Sequence, residues 1–250
     1  RKNMPRIGTR KLYEKLSTQP IKIGRDALFE LLGRNDLLVR RKRTKVFTTQ
    51  SYHWFRRYPN LIKGIEVTGP NQLWVSDITY VETDQGFLYL FLITDAYSRK
   101  IVGVKAAENL EAINAVQALK QAIKGLVSSA SGLIHHSDRG VQYCCNEYVK
   151  VLQKNNIRSS MTQNGDPLEN AIAERVNGIL KVEWLYDQKF ASFDQAKAYI
   201  HKVVGIYNTQ RPHSSIDMLT PEQAHLKNGI LKRRWKNYYK PKINETQILE

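Results

Sequence analysis

Phe87-Leu-Tyr-Leu-Phe-Leu-Ile-Thr94 leaves this chain the least freedom, because an apolar run without polar alternation suits a strand covered on both faces. Its neighbours read as strands too. Residues 73–82 alternate between apolar and polar side chains, and residues 100–106 follow the turn-like Asp95-Ala-Tyr-Ser-Arg99. Connections this short join antiparallel neighbours, so the three strands form a meander. A strand buried on both faces needs helices above and below it, and the chain supplies them. Residues 109–124 read as a helix with Leu110, Ile113, Val116, Leu119 and Ala122 on one side. Residues 133–138 read as a fourth strand, 146–153 as a helix, 157–162 as a fifth strand, and a further helix follows. The expected fold class is α/β, a mixed five-stranded sheet flanked by helices.

Three carboxylates stand out against this layout. Asp77 lies in Trp74-Val-Ser-Asp77-Ile-Thr-Tyr-Val81, and Asp138 ends the run Leu133-Ile-His-His-Ser-Asp138 before a turn at Gly140. Glu174 sits on the last of these helices, with 35 residues between it and Asp138 (174 − 138 − 1). Each alone is bland, since Asp commonly stands where a strand stops. The helix opens at Asp166-Pro167-Leu168-Glu169, an Asp cap with Pro at the first helical position and Glu at the third. At 100° per residue, Leu168, Ile172, Val176, Ile179 and Leu180 fall on one side; Asn170, Glu174, Asn177 and Lys181 share the other. A solvated polar face fits that geometry equally well, and the two aspartates are what argue for a site.

Carboxylates that converge repel one another unless a cation lies between them. An all-oxygen site suits magnesium, or manganese, better than zinc. Two such ions about 3.5–4 Å apart activate an attacking hydroxyl and stabilise the leaving oxygen of a phosphodiester displacement. No nucleophilic Ser or Cys constellation competes with this reading. His135 and His136 precede Asp138, but successive strand residues face opposite sides, so a structural role is expected for at least one. Cys144 and Cys145 are adjacent, which suits neither a loop-closing disulfide nor spaced zinc ligands, and they read as small half-buried thiols.

Charge points to a polyanionic partner. The formal net charge is +16, and residues 1–70 hold 17 basic against 5 acidic side chains, whereas 71–250 hold 22 against 18. Seven of those 22 fall between Lys227 and Lys242, so the excess sits at both ends of a balanced centre. Near the N-terminus, residues 7–16 form a short helix with Thr9 as its cap, and a second begins near Arg25 and stops at Gly33. With Arg40, Arg41, Lys42 and Arg43 behind them, the pair fits a helix-turn-helix, with Arg25 placed to approach bases; a helical pair that merely packs on its neighbour is the alternative. The stretch 46–70, with Arg56 and Arg57 among aromatics, suits a linker tracking a phosphate backbone or packing on the next domain. Residues 193–207 read as a helix capped by Ser192, and Thr220-Pro221-Glu222-Gln223 opens one more. No apolar run approaches the roughly 18 to 20 residues that cross a bilayer, and no membrane partner is expected. The first residue is Arg1 rather than Met, which leaves open whether upstream residues are missing.

Trp74-Val-Ser-Asp77-Ile-Thr-Tyr80, His136-Ser-Asp138-Arg-Gly140-Val-Gln142-Tyr143, Asn170-Ala-Ile-Ala-Glu174 with Lys181, and Tyr207-Asn208-Thr-Gln-Arg211-Pro212-His213 together resemble a bacterial insertion-sequence transposase. The similarity is to the OrfB type with a retroviral-integrase-like DDE core and spans residues 70–225. Residues 164–169 depart from the stretch that commonly precedes the catalytic helix in that family. The resemblance implies a ribonuclease-H-like core, with Asp77, Asp138 and Glu174 as a catalytic triad holding two magnesium ions, for which manganese substitutes. It implies cleavage at the ends of a mobile element and joining of the freed 3′-hydroxyl to another phosphodiester, with Lys181 contacting the DNA end. The partners implied are double-stranded DNA, as terminal inverted repeats and target, and further copies of the chain, at least a dimer on DNA, in the bacterial cytoplasm at the nucleoid. The expected organisation is a helix-turn-helix domain over 1–45, a basic aromatic linker over 46–70, the catalytic core over 71–190, and C-terminal helices with a basic tail over 191–250. Two rivals remain at this point: a catalytically inert helix-turn-helix regulator, and a nuclease on the same fold.

Overall fold

The computed structural model describes residues 2–39, 56–126, 132–163 and 170–234. Its centre is a five-stranded sheet in the order β3-β2-β1-β4-β5. Strands β1 (Leu73–Thr83), β2 (Gly86–Asp95) and β3 (Ile101–Ala107) form the antiparallel meander, with Trp74 opposite Asp95 and Thr83 opposite Gly86. Strands β4 (Ile134–Ser137) and β5 (Arg158–Met161) run parallel on the other side of β1. The sheet is therefore mixed and five-stranded, as the sequence pattern implies.

The run at 87–94 is buried on both sides because β2 is second in that order and helices cover each face. Leu88, Leu90 and Leu92 enter one core with Val176, Ile179 and Leu180 of α6 (Ala171–Leu180) and Ile200, Val203 and Tyr207 of α7 (Phe193–Gln210). Phe91 and Ile93 point the other way, toward α3 (Ala112–Lys124) and α5 (Asn146–Lys154), where Leu119, Tyr148 and Leu152 meet them. Each face thus takes alternate residues of one strand. Gly103 in β3 lets α3 lie close, since a Cβ there would run into the Ala118 carbonyl. Leu110 and Ile113, expected on the inner face, are exposed; small Ala115, Ala118 and Ala122 with Val116 and Leu119 make the contact instead, as the short approach over Gly103 demands.

Connecting elements follow local rules with some corrections. Ser192 caps α7 by accepting from the Gln195 N–H, and Thr220 opens α8 (Pro221–Ala224) with a complete capping box to Gln223. Between them, Ser214–Ile216 is a single 3-10 turn. The helix α1 (Thr9–Ser17) instead has Gly8 at its cap, and Thr9 is buried as the first helical residue. Helix α2 (Arg25–Arg34) runs through Gly33, and the chain turns left-handed only at Asp36, with φ of 52°. Seven residues separate the two helices (25 − 17 − 1), longer than the turn of about three or four residues in a compact helix-turn-helix. Met4 and Ile7 join the core beneath α6 and α7, and the Asn3 carbonyl accepts the Trp184 indole N–H at 2.8 Å, so this N-terminal segment is anchored to the sheet-and-helix core. No helix among the described residues is long and apolar enough to cross a membrane.

Candidate active site

Strand pairing brings the two aspartates together. In the parallel β1–β4 ladder Leu73 pairs with Ile134 and Val75 with His136, a constant offset of 61 (134 − 73). Carried two residues further, that offset sets Asp77 beside Asp138 on the same side of the sheet. Asp138 lies just past β4, where its Oδ1 accepts the Gly140 N–H at 2.9 Å and closes a side-chain turn into α4 (Val141–Cys144). A Cβ at Gly140 would stand 3.0 Å from that oxygen, so a side chain there would push the Asp138 carboxylate aside by a few tenths of an ångström. Asp77 is half-buried; its Oδ1 accepts the Ile78 N–H at 2.9 Å and its Oδ2 the Asn177 side-chain amide at 2.7 Å. Burial first, and Asp138 second, push the Asp77 carboxyl up to about 7, against the pull of those two hydrogen bonds. Glu174 adds a smaller push in the same direction.

Helix α6 lays its polar stripe along β1. Asn170 donates to the Ser76 carbonyl at 3.0 Å, Asn177 reaches Asp77, and Lys181 sets its Nζ 4.2 Å from the centre of the Tyr80 ring. Asn170, Asn177 and Lys181 of the stripe therefore face β1, the central strand, and both asparagines are buried rather than solvated. Ala173 beside them is small enough to pack on Leu73, Val75 and Ile134. Glu174 sits midway along this stripe and is exposed, with burial alone raising its carboxyl. No set of three His, Cys, Asp or Glu side chains close enough to hold one ion occurs among the described residues. Asp77 and Asp138 are thus the closely coupled pair, and Glu174 stands on the same face at a greater remove. Where α6 ends, Lys181–Leu185 forms a π-helical turn, a rare geometry that is frequent at functional sites. Burial lowers the Lys181 ammonium and Asp77 partly restores it.

The donor set fits a divalent cation. Burial first and the neighbouring Asp138 second drive the Asp77 carboxyl toward protonation, a balance that a cation would reverse, and hard oxygens are what magnesium and manganese take.

Other expected residues fall in different places. Arg25 is on the surface and forks onto Asp26, Nε to Oδ1 at 2.8 Å. Arg56 lies over the Tyr58 ring at 5.4 Å and Arg57 is exposed, while Arg40, Arg41, Lys42 and Arg43, the helix start at Asp166 and the tail beyond 234 lie outside the described residues. Both histidines before Asp138 are structural. The His135 Nε2 meets Ser76 Oγ at 2.6 Å and Tyr148 OH at 2.8 Å, and burial holds its ring at about 3, hence neutral. His136 is buried against Ser160. Cys144 and Cys145 are free buried thiols, the former pushed up to about 11 by burial. Asp95, Ser98 and His225 make a Ser/His/Asp cluster, but Ser98 is fully buried and donates straight to Asp95 at 2.6 Å, so the trio fastens a turn. Reasoning from sequence gave Asn177 no role; its spacing of seven from Asn170 on the Glu174 face was the available signal.

Comparison with known proteins follows this geometry. Residues 67–167 and 155–221 match two integrase core domain families. The insertion element IS600 31 kDa protein of Shigella sonnei is 38% identical over 218 residues, covering 86% of this chain and 79% of that protein. Transposase InsF for insertion sequence IS3A of Escherichia coli K12 is 34% identical over 227 residues, 89% of this chain and 78% of its own. Among solved structures, a chain of the simian T-cell lymphotropic virus intasome in complex with PP2A regulatory subunit B56 gamma aligns with a TM-score of 0.54 at 18% identity. That alignment covers 76% of this chain and 65% of the other, and it shows the fold, a ribonuclease-H-like core. By sequence kinship the chain belongs to the bacterial insertion-sequence transposases with an integrase core, DNA transposases that are polynucleotidyl transferases.

Proposed function

We propose that Asp77, Asp138 and Glu174 hold two divalent cations, magnesium with manganese able to substitute, and that the chain cuts insertion-sequence ends and joins them to target DNA. The observation that carries this is the register that sets Asp77 beside Asp138 and leaves Asp77 with a carboxyl near neutrality. Bound there, the ions would supply charge neutralisation and a polarised attacking hydroxyl. The chain's own residues do the rest. Asn177 holds the Asp77 carboxylate by one oxygen, and the Gly140 N–H holds Asp138 by one. Glu174, exposed on the facing helix, closes the site from the α6 side. Lys181, held over Tyr80 and within the field of Asp77, would meet a phosphate of the DNA end. In the transfer, the freed 3′-hydroxyl forms a bond to a target phosphorus as it loses its proton, and the target's P–O3′ bond breaks, so no covalent enzyme intermediate is required.

The organisation proposed with this activity is a DNA-binding segment over 1–45, a linker over 46–70, the core over 71–190 and helices with a basic tail over 191–250. DNA ends and target are the partners, with at least two copies of the chain on DNA. Asp77→Asn tests the reading: cleavage of duplex DNA bearing the element's terminal repeat, in magnesium, should be lost while binding persists. Cleavage at the wild-type rate would remove Asp77 from the chemistry.

A further inference from the structure

A second cluster lies on the flank of α6, about a quarter turn from the stripe that faces Asp77. There a cleft of about 520 Å³ is lined by Lys11 of α1, Arg99 of the β2–β3 turn, Arg175 of α6, and Arg211 with His213 just past α7. Four elements distant in sequence thus deliver four permanent or near-permanent cations to one hollow. Among the described residues one carboxylate makes ion pairs with them, and only with two. Glu183 takes Arg211 in a fork, Oε2 to Nε at 2.8 Å and Oε1 to Nη2 at 2.6 Å, and reaches Lys11 at 3.7 Å. Arg99 spends its guanidinium on the Ala96 carbonyl and on Ser215, and Arg175 makes no ion pair among the described residues.

So many cations gathered around one anion, part of them buried, is unfavourable as it stands. A second observation points into the same space: His213 is 5% exposed and its Nε2 has no hydrogen-bond partner among the described residues, although it lines the cleft. Burial and Arg211 hold the Lys11 ammonium down at about 8, and burial with the surrounding cations keeps His213 well below its ordinary value. A neutral imidazole still offers one N–H. Ala171 and Ile172 of α6 complete the wall.

We propose that this cleft binds a phosphodiester group of a DNA strand, gripped by Arg99, Arg175, Lys11 and the His213 Nε2, and so positions the strand on the side of α6 away from Asp77. The assignment rests on the transposase reading for its ligand, though the anion site stands on the cleft itself. Inorganic phosphate and methylphosphonate-substituted duplex separate the two. With full-length protein, phosphate at constant ionic strength should raise the melting temperature in a saturable way by about 3 °C or more, and Arg99→Gln with Arg175→Gln should cancel the rise. Arg175 is exposed, so Arg175→Gln alone should melt no lower than wild type when phosphate is absent and should still lose part of the rise, which separates lost binding from lost folding. On terminal-repeat duplex, the double variant should bind roughly ten-fold more weakly, with a salt slope shallower by about one or two units. One neutral methylphosphonate position should weaken wild type and leave the variant unaffected. An unchanged phosphate response in the variant would overturn the site. A lost phosphate response with equal methylphosphonate losses in both proteins would overturn the DNA assignment and leave a free-phosphate site. Loss of the transposase reading alone would appear as wild-type protein that binds phosphate yet cleaves no element end.

Discussion

Replacing Asp77 with Asn should make the metal-free protein more stable at alkaline pH, although it removes a residue of the proposed chemistry. Asp77 titrates near 7 in the folded chain against 3.8 when exposed, with burial and Asp138 as the main causes. Between those values the native state holds more protons than the unfolded state, so stability falls as pH rises through that window and levels off above 7. At about 1.4 kcal/mol per unit the shift corresponds to roughly 4 kcal/mol, an upper bound that screening at a half-buried site cuts to about 1–2 kcal/mol. Asn lacks the charge and can still accept from Asn177 through its amide oxygen. In urea titrations followed by circular dichroism, with chelator present, Asp77→Asn should exceed wild type by about 1–2 kcal/mol at pH 8 and converge with it near pH 4. The difference reports the Asp77 charge together with its coupling to Asp138. A variant equal to or weaker than wild type at pH 8, with the wild-type slope intact, would refute the reasoning. A site of this kind gives up stability that the proposed cation would return.

Asn177→Ala removes the 2.7 Å hydrogen bond that lowers the Asp77 carboxyl, so the acid limb of the pH profile of strand cleavage should move upward; an unmoved limb would count against the coupling. Glu183→Gln leaves Arg211, fully buried, without its carboxylate and should cost about 3–5 kcal/mol in denaturant titration, whereas a loss under 1 kcal/mol would show that the pair is dispensable. Gly103→Ala drives a methyl into the α3 backbone and should lower stability by about 1–3 kcal/mol, read as a lower melting temperature.

Much of the architecture was legible because each face of the sheet prints its demand on alternate residues. The run from Phe87 to Thr94 announced two-sided burial, and the caps at Ser192 and Thr220 marked helix starts with side chains that bond their own backbone. The polar stripe from Asn170 to Lys181 was readable as a face, but its burial against β1 was not, since helical spacing says nothing about what covers a polar side. The Arg211–Glu183 pair joins residues 28 apart across two helices, and the anchoring of Met4 and Ile7 under α6 spans most of the chain. Such pairings depend on tertiary packing that no local pattern encodes. Helix α2 ran past Gly33 because Asp36 took the left-handed turn that glycine would ordinarily supply.

The most direct test of the proposed metal centre is anomalous scattering from crystals of the protein with manganese and terminal-repeat DNA. Density for an ion between the Asp77 and Asp138 carboxylates, with Glu174 drawn in to complete its shell, is the predicted result. Manganese bound elsewhere while Asp77 and Asp138 keep only their protein hydrogen bonds would contradict it.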